Sequence, residues 1–314
     1  MNNSPHTVLP GKIPQISLGS WAFSFGPFAD APWSFDRFCD YAADAHYDGV
    51  EINGFRPHPH DEDFSVSAAR ALGSAIRDRG LGISGYAPDL TATPPGVAAE
   101  AEYLARIDSI ARFCVAAGID LVRVDTITPP PGPGDPAAAY PALVRTWGAA
   151  AERLAKDGLR LVWEYEPGFW LNRPSEILRL LDDVASDNFA VMFDTSHSHT
   201  IAAYGRRQGP DTEILPDGAP GLARLLAGRV GALHLIDSDG SLHDDETSSH
   251  LPFGTGDLDF AAVLAPIRDD VLLLPWWTVD YCFWRETIRD AREAVPVVAA
   301  IRDNLVRTKG IEAG

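Results

Sequence analysis

The sequence predicts an α/β protein, a single (β/α)8 TIM barrel, on three observations. Eight short β-prone runs alternate with longer segments whose apolar residues recur at helical spacing. Strands that are separated by helices are joined by crossovers, so their sheet is parallel. No G-x-G-x-x-G pattern follows the first run, where the sequence is GSWAFSFG, which disfavours the alternative of an open, doubly wound dinucleotide-binding sheet. A length of 314 residues suits one closed barrel.

The eight strands are predicted, in chain order, at 15–20, 49–52, 81–87, 120–125, 159–166, 189–194, 230–237 and 271–279. The helices are predicted at 35–45, 65–79, 97–117, 142–156, 175–184, 220–227, 260–267 and 285–306. Several helices end in small or turn residues directly before a strand, as in RDRGLGIS, where glycine suits a helix C-cap. The stretch TPPPGPGDP has a βα unit on each side and is predicted to be a loop. We therefore expect one domain over residues 1–314, with the barrel at about 15–305 and short tails.

Charge and composition narrow the partners of this chain. Its 44 acidic and 26 basic residues give a formal charge of −18, whereas nucleic acids and anionic membranes bind surfaces rich in Lys and Arg. Small neutral substrates fit better. No apolar run approaches the ~20 residues that span a bilayer. The first residues also lack the layout of a signal peptide, so we expect a cytoplasmic protein.

Cysteine and lysine usage exclude two kinds of chemistry. Cys39, Cys114 and Cys282 are odd in number and far apart, so they indicate neither a disulfide framework nor a thiolate zinc site. Lys156 precedes the fifth strand, at the wrong end of a barrel for catalysis, and the other two lysines lie in the tails. A Schiff-base aldolase is therefore not expected.

Polar residues collect at the ends of the predicted strands, where barrel enzymes place their chemistry. These residues are Glu51, Arg123, Asp125, Glu164, Glu166, Asp194, His197, His234, Asp237 and Asp280. A single polar residue at a strand end more often caps a helix or meets solvent. Here, however, Glu164 follows a strongly apolar run and His234 lies inside one, and burying either without a partner costs several kcal/mol. A shared cation would offset both costs.

Four of these residues form a candidate metal site. Glu164, Asp194, His234 and Asp280 come from strands five to eight, which are adjacent staves of one barrel and can converge on a point. Three carboxylates and one imidazole make an oxygen-rich, six-coordinate type of site. Such a site suits a divalent metal ion, with Mn2+ preferred and Mg2+, Co2+ or Zn2+ as alternatives.

Five short motifs agree with one known superfamily. They are GVEI after the first helix, WEYEPG, FDTSH as a D-x-x-H motif, HLID as an H-x-x-D motif, and HLPFGTGDLDF as an H-x-x-x-G-x-G-x-x-x-F turn. On these motifs the chain resembles the xylose isomerase-like TIM-barrel superfamily, the sugar phosphate isomerases and epimerases, over about residues 15–305. Together the motifs are fairly specific for the superfamily, but not for a substrate.

The resemblance implies that the four candidate ligands hold a divalent metal, which chelates a substrate's adjacent carbonyl and hydroxyl. In the epimerase branch, two glutamates on strands five and eight move a proton through an enediolate. Asp280 stands at the second of these positions and reaches one methylene less far, so a symmetric epimerase mechanism is in doubt. The catalytic residues are predicted to be Glu164, His197 and Asp280.

Six residues around the metal are predicted to bind substrate, with a structural role as the alternative, and of these Glu166 stands where the resemblance places substrate-contacting groups. They are Glu51, Glu166, Trp21, Arg123, Asp237 and His250. Trp21 belongs to a wider set of aromatic residues that offer apolar walls to a sugar or aryl group, though core packing accounts for at least half of that set. His197 is alternatively a helix-capping or hydrogen-bonded histidine.

The leading hypothesis is a metal-dependent isomerase or epimerase acting on a keto-sugar, a cyclitol or a derivative. The runner-up is a lyase or dehydratase that eliminates a group beta to the carbonyl. A phosphodiester endonuclease would need further ligands, for which His58 and His60 are available, but the charge of −18 argues against DNA. A non-catalytic partner subunit and a homo-oligomer are left open.

Overall fold

A computed structural model describes residues 13–132 and 134–312. In it, eight parallel strands close into a barrel in the order β1-β10-β7-β6-β5-β4-β3-β2. The barrel strands are β1 Gln15–Gly19, β2 Gly49–Gly54, β3 Gly82–Pro88, β4 Leu121–Val124, β5 Arg160–Glu164, β6 Phe189–Asp194, β7 Val230–Leu235 and β10 Trp276–Val279. Two short strands, β8 Leu242–His243 and β9 Thr247–Ser248, pair as an antiparallel hairpin in the connection from β7 to β10. The predicted (β/α)8 TIM barrel is confirmed.

The α-helices follow the strands in the order that the periodicity predicts. They are α1 Phe35–Asp44, α2 Val66–Asp78, α3 Glu100–Ala117, α4 Pro136–Lys156, α5 Pro174–Val184, α6 Thr195–Tyr204, α7 Gly218–Leu226, α8 Phe260–Leu264, α9 Arg268–Val271 and α10 Thr287–Glu312. The helix α6 was not predicted. None of the helices in the described residues is both long and apolar enough to cross a bilayer.

The predicted eighth strand, 271–279, is wrong over its first half. The chain is still helical at Val271, the last residue of α9, and β10 begins only at Trp276. Val271 is fully buried, while Leu273 is 61% exposed. Residues two apart on a strand share a face, so this alternation fits a turn and not a strand. The run VLLL has strand-like composition, and composition alone does not distinguish a buried strand from the end of a short helix.

The core consists of two layers that the barrel wall separates. Between the strands and the surrounding helices lies a large apolar cluster, in which Trp147, Trp163 and Trp277 are fully buried. Inside the barrel lies a much smaller apolar cluster of Val162, Ala190, Met192 and Ala232. The upper part of the barrel, toward the C-terminal strand ends, is polar, and this leaves room for a functional site.

Candidate active site

A cavity of about 400 Å³ opens at the C-terminal ends of the barrel strands. Seven predicted site residues line it, namely Trp21, Arg123, Glu164, Glu166, His197, His250 and Asp280. Asp194 and His234 lie directly beneath them and are fully buried. The structure therefore brings together the predicted ligands from strands five to eight, as the barrel geometry requires.

Asp194 ends β6 and begins α6. Its Oδ1 accepts a hydrogen bond of 2.7 Å from the backbone N–H of His197, which makes it the N-cap of the helix. Thr195 fixes the same junction, because its hydroxyl donates to the carbonyl of Ile236 and accepts from the N–H of that residue. With Oδ1 used as the cap, Oδ2 is left to face the barrel axis.

His234 lies at the centre of the acidic cluster. Its Nε2 is 2.5 Å from Glu51 Oε2. A carboxylate accepts hydrogen bonds, so Nε2 carries a hydrogen and donates a hydrogen bond to Glu51. Its Nδ1 faces three further carboxylates, at 2.9 Å from Glu164 Oε1, 3.8 Å from Asp194 Oδ2 and 3.9 Å from Asp280 Oδ2. Burial alone would lower the pKa of His234, but Glu51 and Glu164 raise it well above its usual value. The three carboxylates that face Nδ1 favour a positive charge there, which is either a proton on Nδ1 or a cation that Nδ1 binds.

Three buried ligand atoms fit a divalent cation. Glu164 Oε1, Asp194 Oδ2 and His234 Nδ1 make no well-aligned hydrogen bond to any described residue, and all three lie within 4.8 Å of one another. Buried polar atoms without partners are rare and costly. Two ligand bonds of ~2.1 Å to one ion span ~4.2 Å end to end, so the spacing of the three atoms suits a shared ion after small adjustments.

Arg123 holds the other side of Glu164. Its Nη2 contacts Glu164 Oε2 and also lies 2.8 Å from Glu166 Oε1 and 3.4 Å from Asp125 Oδ2. Burial alone would raise the pKa of Glu164, but Arg123 and then His234 lower it below the usual range. Glu164 is thus an ionised carboxylate with Oε2 fixed by the guanidinium and Oε1 turned toward the cluster.

Two histidines lie beside the acidic cluster. Nδ1 of His197 is 2.5 Å from Ser248 Oγ on β9, and its Nε2 is 3.8 Å from Glu166 Oε2. Burial lowers the pKa of His197 well below its usual value, so the ring is neutral. The His250 ring lies 5.2 Å from it, with Nδ1 3.5 Å from Asp280 Oδ2. Both ring nitrogens of His250 are buried and lack a hydrogen-bond partner in the described chain.

Asp237 does not line the cavity. Its carboxylate accepts four backbone hydrogen bonds, from Ser238 and Leu258 at Oδ1 and from Gly254 and Gly256 at Oδ2. These bonds fold the H-x-x-x-G-x-G turn against the end of β7. The structure thus gives Asp237 a structural position, whereas the sequence pattern predicts substrate contact.

Replacing Gly256 with alanine is expected to loosen this turn. A Cβ at Gly256 would lie 2.5 Å from the carbonyl oxygen of Ser238, so we expect Gly256→Ala to lower the free energy of unfolding by about 1–3 kcal/mol. Gly148→Ala is the matched control, because a Cβ there meets nothing closer than 3.9 Å. Urea denaturation of both variants measures the difference. Alanine inside α4 is itself expected to stabilise the helix by ~1 kcal/mol, so each variant is compared with the unsubstituted protein. A Gly256→Ala variant as stable as that protein would contradict the packing that the turn shows.

The sequence did not indicate Ser248 or the partner that Glu51 has in the site. Glu51 is predicted to contact substrate, but its carboxylate accepts a hydrogen bond from His234, which is 183 residues away along the chain. Ser248 comes from a hairpin of two-residue strands that is too short for periodicity to show. Asp125 was noticed as a strand-end residue and does line the cavity. His58 is held by Asn53 and the carbonyl of Trp33 and lies outside the cavity lining.

His60 is likewise outside the lining, and its Nδ1 accepts from the N–H of Glu62. The two histidines that an endonuclease-like metal cluster would recruit are therefore engaged in local contacts.

The three free cysteines agree with the prediction that no disulfide framework exists.

The chain matches the family described as xylose isomerase-like TIM barrel over residues 39–295. No curated protein sequence matches it. Among solved structures, D-psicose 3-epimerase in the presence of D-fructose aligns with a TM-score of 0.71 and 15% identity, covering 92% of this chain and 99% of its own. A probable 3-DHS dehydratase, AsbF from Bacillus anthracis, aligns with a TM-score of 0.66 and 15% identity, covering 91% and 98%.

A third solved structure is a fusion of a xylose isomerase-like TIM barrel with a 4-hydroxyphenylpyruvate dioxygenase. It aligns with a TM-score of 0.69 and 18% identity, covering 96% of this chain but only 45% of its own. The chain therefore spans less than half of that fusion protein. At identities this low, the three likenesses show a common fold.

Proposed function

The chain belongs to the xylose isomerase-like TIM barrel family, and from that premise we propose that it is a divalent-metal-dependent isomerase or epimerase. Its substrate would be a keto-sugar, a cyclitol or a derivative of one. The observation that carries the proposal is the convergence of Glu164 Oε1, Asp194 Oδ2 and His234 Nδ1, three buried atoms that lack well-aligned hydrogen bonds within the described chain. We propose Mn2+ as the ion, with Mg2+, Co2+ or Zn2+ as alternatives.

Glu164, Asp194 and His234 would hold the ion, and Asp280 would complete the set from the cavity side. When bound, a divalent ion polarises a substrate carbonyl and acidifies the adjacent C–H bond. Glu164 is ionised, and with Oε1 on the ion its Oε2, which Arg123 contacts, is the oxygen that would take the proton. Removal of an alpha proton in this way passes through an enediolate.

The remaining polar residues of the cavity would orient the substrate. His197 is neutral and fixed by Ser248, so its Nε2 side is available for a hydrogen bond to a substrate hydroxyl. Arg123 and Glu166 lie on the same side of the cavity, joined by a contact of 2.8 Å. His250 offers two buried nitrogens beside Asp280. The sugar would thus meet donors and acceptors on both flanks of the ion.

Metal analysis and a conversion assay test the proposal together. We expect the purified protein to bind one divalent ion per chain and to interconvert ketoses. Chromatography of the sugars measures this conversion. Turnover should disappear with a chelator and return with Mn2+. A chain that binds no divalent ion, or that turns over equally well after chelation, would contradict a metal-dependent isomerase.

A lyase or dehydratase is the second candidate function. Asp280 favours it, because a carboxylate one methylene shorter than glutamate is poorly placed to return a proton on the second face of a substrate. Both reactions start by removing an alpha proton, so the product decides between them. Release of water or of an aglycone would indicate elimination, whereas a rearranged sugar with the same mass would indicate isomerisation.

The charges of the cavity favour neutral substrates. Five carboxylates and two guanidinium groups belong to the described lining residues, and Arg123 already contacts three carboxylates. Even a bound divalent ion would leave a formal excess of negative charge there. We propose a single-domain cytoplasmic enzyme whose partner is a neutral small molecule and neither nucleic acid nor membrane.

Phosphorylated ketoses are therefore expected to be poorer substrates than the free sugars. Repulsion between the phosphate and the carboxylates should lower kcat/KM by about tenfold or more. The measurement compares a ketose with its terminal phosphate under the same metal loading. A higher kcat/KM for the phosphate ester would mean that a cation such as Arg207 at the rim binds it.

Glu51 is expected to act on the metal through His234. Glu51→Gln removes the charge that accepts the Nε2 proton, and loss of such a partner typically lowers metal affinity by ~10–100-fold. Titration calorimetry with Mn2+ measures the change. Glu152→Gln, on the exposed face of α4, is the control and should bind metal normally. Unchanged affinity in Glu51→Gln would assign the Glu51 contact a structural role only.

A further inference from the structure

The cavity has a second half that the proposed chemistry does not use. We propose that an aromatic wall formed by Trp21, Phe25, Phe55 and Phe283 is a subsite for a planar aromatic group carried by the substrate. The inference rests on the proposed function, because it places the polyhydroxylated part of the same substrate at the metal end. Each of the four rings is half-buried and lines the cavity.

The rings form one continuous surface. Trp21 lies 5.6 Å from Phe25 and 5.5 Å from Phe55 between ring centroids, and Phe25 lies 5.5 Å from Phe55. Phe283 continues the wall at 6.4 Å from Phe25. These spacings are those of interacting aromatic pairs. Three loops, after β1, β2 and β10, contribute the rings, so the wall is assembled by the fold and does not belong to one segment.

The wall begins next to the metal end. The Arg123 guanidinium, which contacts Glu164, lies 4.9 Å over the Trp21 ring. Trp21 Nε1 is buried and has no hydrogen-bond partner in the described residues. A substrate that spans both halves would offer an oxygen at this junction and an apolar group beyond it, and it would satisfy that donor.

The backbone is strained at Phe283, which forms the outer end of the wall. Phe283 has a φ of +66°, which is uncommon and costly for a side chain with a Cβ. Gly26 makes room for it, since a Cβ there would lie 2.9 Å from Phe283 Cδ1. His243 stacks on the far face of the assembly, 4.5 Å from the Phe283 ring at an angle of 13°. Strained backbone that holds a side chain in place is typical of binding sites.

An aromatic group fits this half better than a sugar alone. A monosaccharide presents mainly hydroxyl groups, and the polar partners that it needs lie at the metal end. Four half-buried rings that face one cavity form an apolar surface on which a planar group can stack. A cavity of about 400 Å³ also lies within the ~300–1,000 Å³ of sites for drug-sized ligands.

Two glycosides that share a sugar test the inference. We expect the full, Mn2+-loaded protein to bind phenyl 3-keto-β-D-glucopyranoside, which has a carbonyl beside a hydroxyl, about tenfold more tightly than methyl 3-keto-β-D-glucopyranoside in titration calorimetry. Phe55→Ala and Phe283→Ala should each remove most of that preference while leaving the affinity for the methyl glycoside unchanged. Phe64→Ala is the control, because Phe64 is half-buried against Phe113, away from the cavity.

Equal affinity for the two glycosides, binding of neither, or a preference that survives both cavity substitutions would overturn the inference. Failure of the proposed function gives a different result, namely no metal-dependent turnover of any sugar. A protein that converts free ketoses without favouring the phenyl glycoside keeps the proposed function and loses the aromatic subsite.

Discussion

Glu164→Gln should abolish divalent-metal binding and lower turnover by about 1,000-fold or more, because loss of a group that moves a proton costs ~100–10,000-fold and the proposed turnover also depends on the metal. The change keeps the shape of the side chain but removes the charge that Arg123 and His234 both contact. It also converts the carboxylate into an amide, in which NH2 replaces one oxygen, and an amide cannot act as a base. Both proposed roles of Glu164 are therefore lost in one substitution.

The fold should survive this change. Arg123 keeps Glu166 and Asp125 as partners, so its buried charge remains compensated. Circular dichroism should show an intact barrel, and metal analysis should show an empty site. Glu152→Gln serves as the control for a charge removed from the exposed face of a helix. A Glu164→Gln protein that binds metal and retains turnover would refute the proposed centre.

The barrel was predictable because each βα unit carries its own local signal. Strand β6 was predicted with the observed bounds of Phe189–Asp194, since apolar β-prone residues end there at a charged one. Helix α6 was not, because TSHSH contains residues of modest helix propensity. It forms because Asp194 caps it and because seven of its residues are buried, and neither the cap geometry nor the burial is visible in the local sequence.

The candidate ligands were predictable and their partners were not. Position at a strand end is a local property, so Asp194 and His234 could be placed at the cavity floor from the strand order alone. The contact of His234 with Glu51 crosses 183 residues, and no periodicity reports such a distance. Asp237 shows the converse, because a strand-end position suggested substrate contact while its carboxylate folds a turn.

The aromatic wall was indicated only in part. Trp21 was predicted as one of several aromatic residues that could form an apolar wall of the site. Phe25, Phe55 and Phe283 lie in three separate loops whose arrangement depends on barrel closure. Loop conformations follow from tertiary contacts, such as the close approach of Phe283 to Gly26, and single-sequence patterns carry little information about them.

Asp280→Asn should lower turnover by about 100-fold or more. One carboxylate oxygen of Asp280 accepts from the N–H of Cys282 at 3.0 Å, and an asparagine oxygen can accept the same bond. The other oxygen lies 3.9 Å from His234 Nδ1 and 3.5 Å from His250 Nδ1. The substitution therefore preserves the bond from Cys282 and replaces the charged oxygen that faces the proposed ion with a neutral amide nitrogen.

Asp280→Glu distinguishes the two proposed functions. A longer carboxylate at this position would restore the pair of acids on strands five and eight that suits proton transfer on both faces of a substrate. If the chain is an isomerase, the glutamate variant should keep or gain turnover, while a lyase adapted to the shorter acid should lose it. Asp187→Asn, an exposed change in the loop before β6, is the control for both variants. An Asp280→Asn protein as active as this control would leave Asp280 with neither a metal-binding nor a catalytic role, because the asparagine lacks both the charge and the second acceptor oxygen.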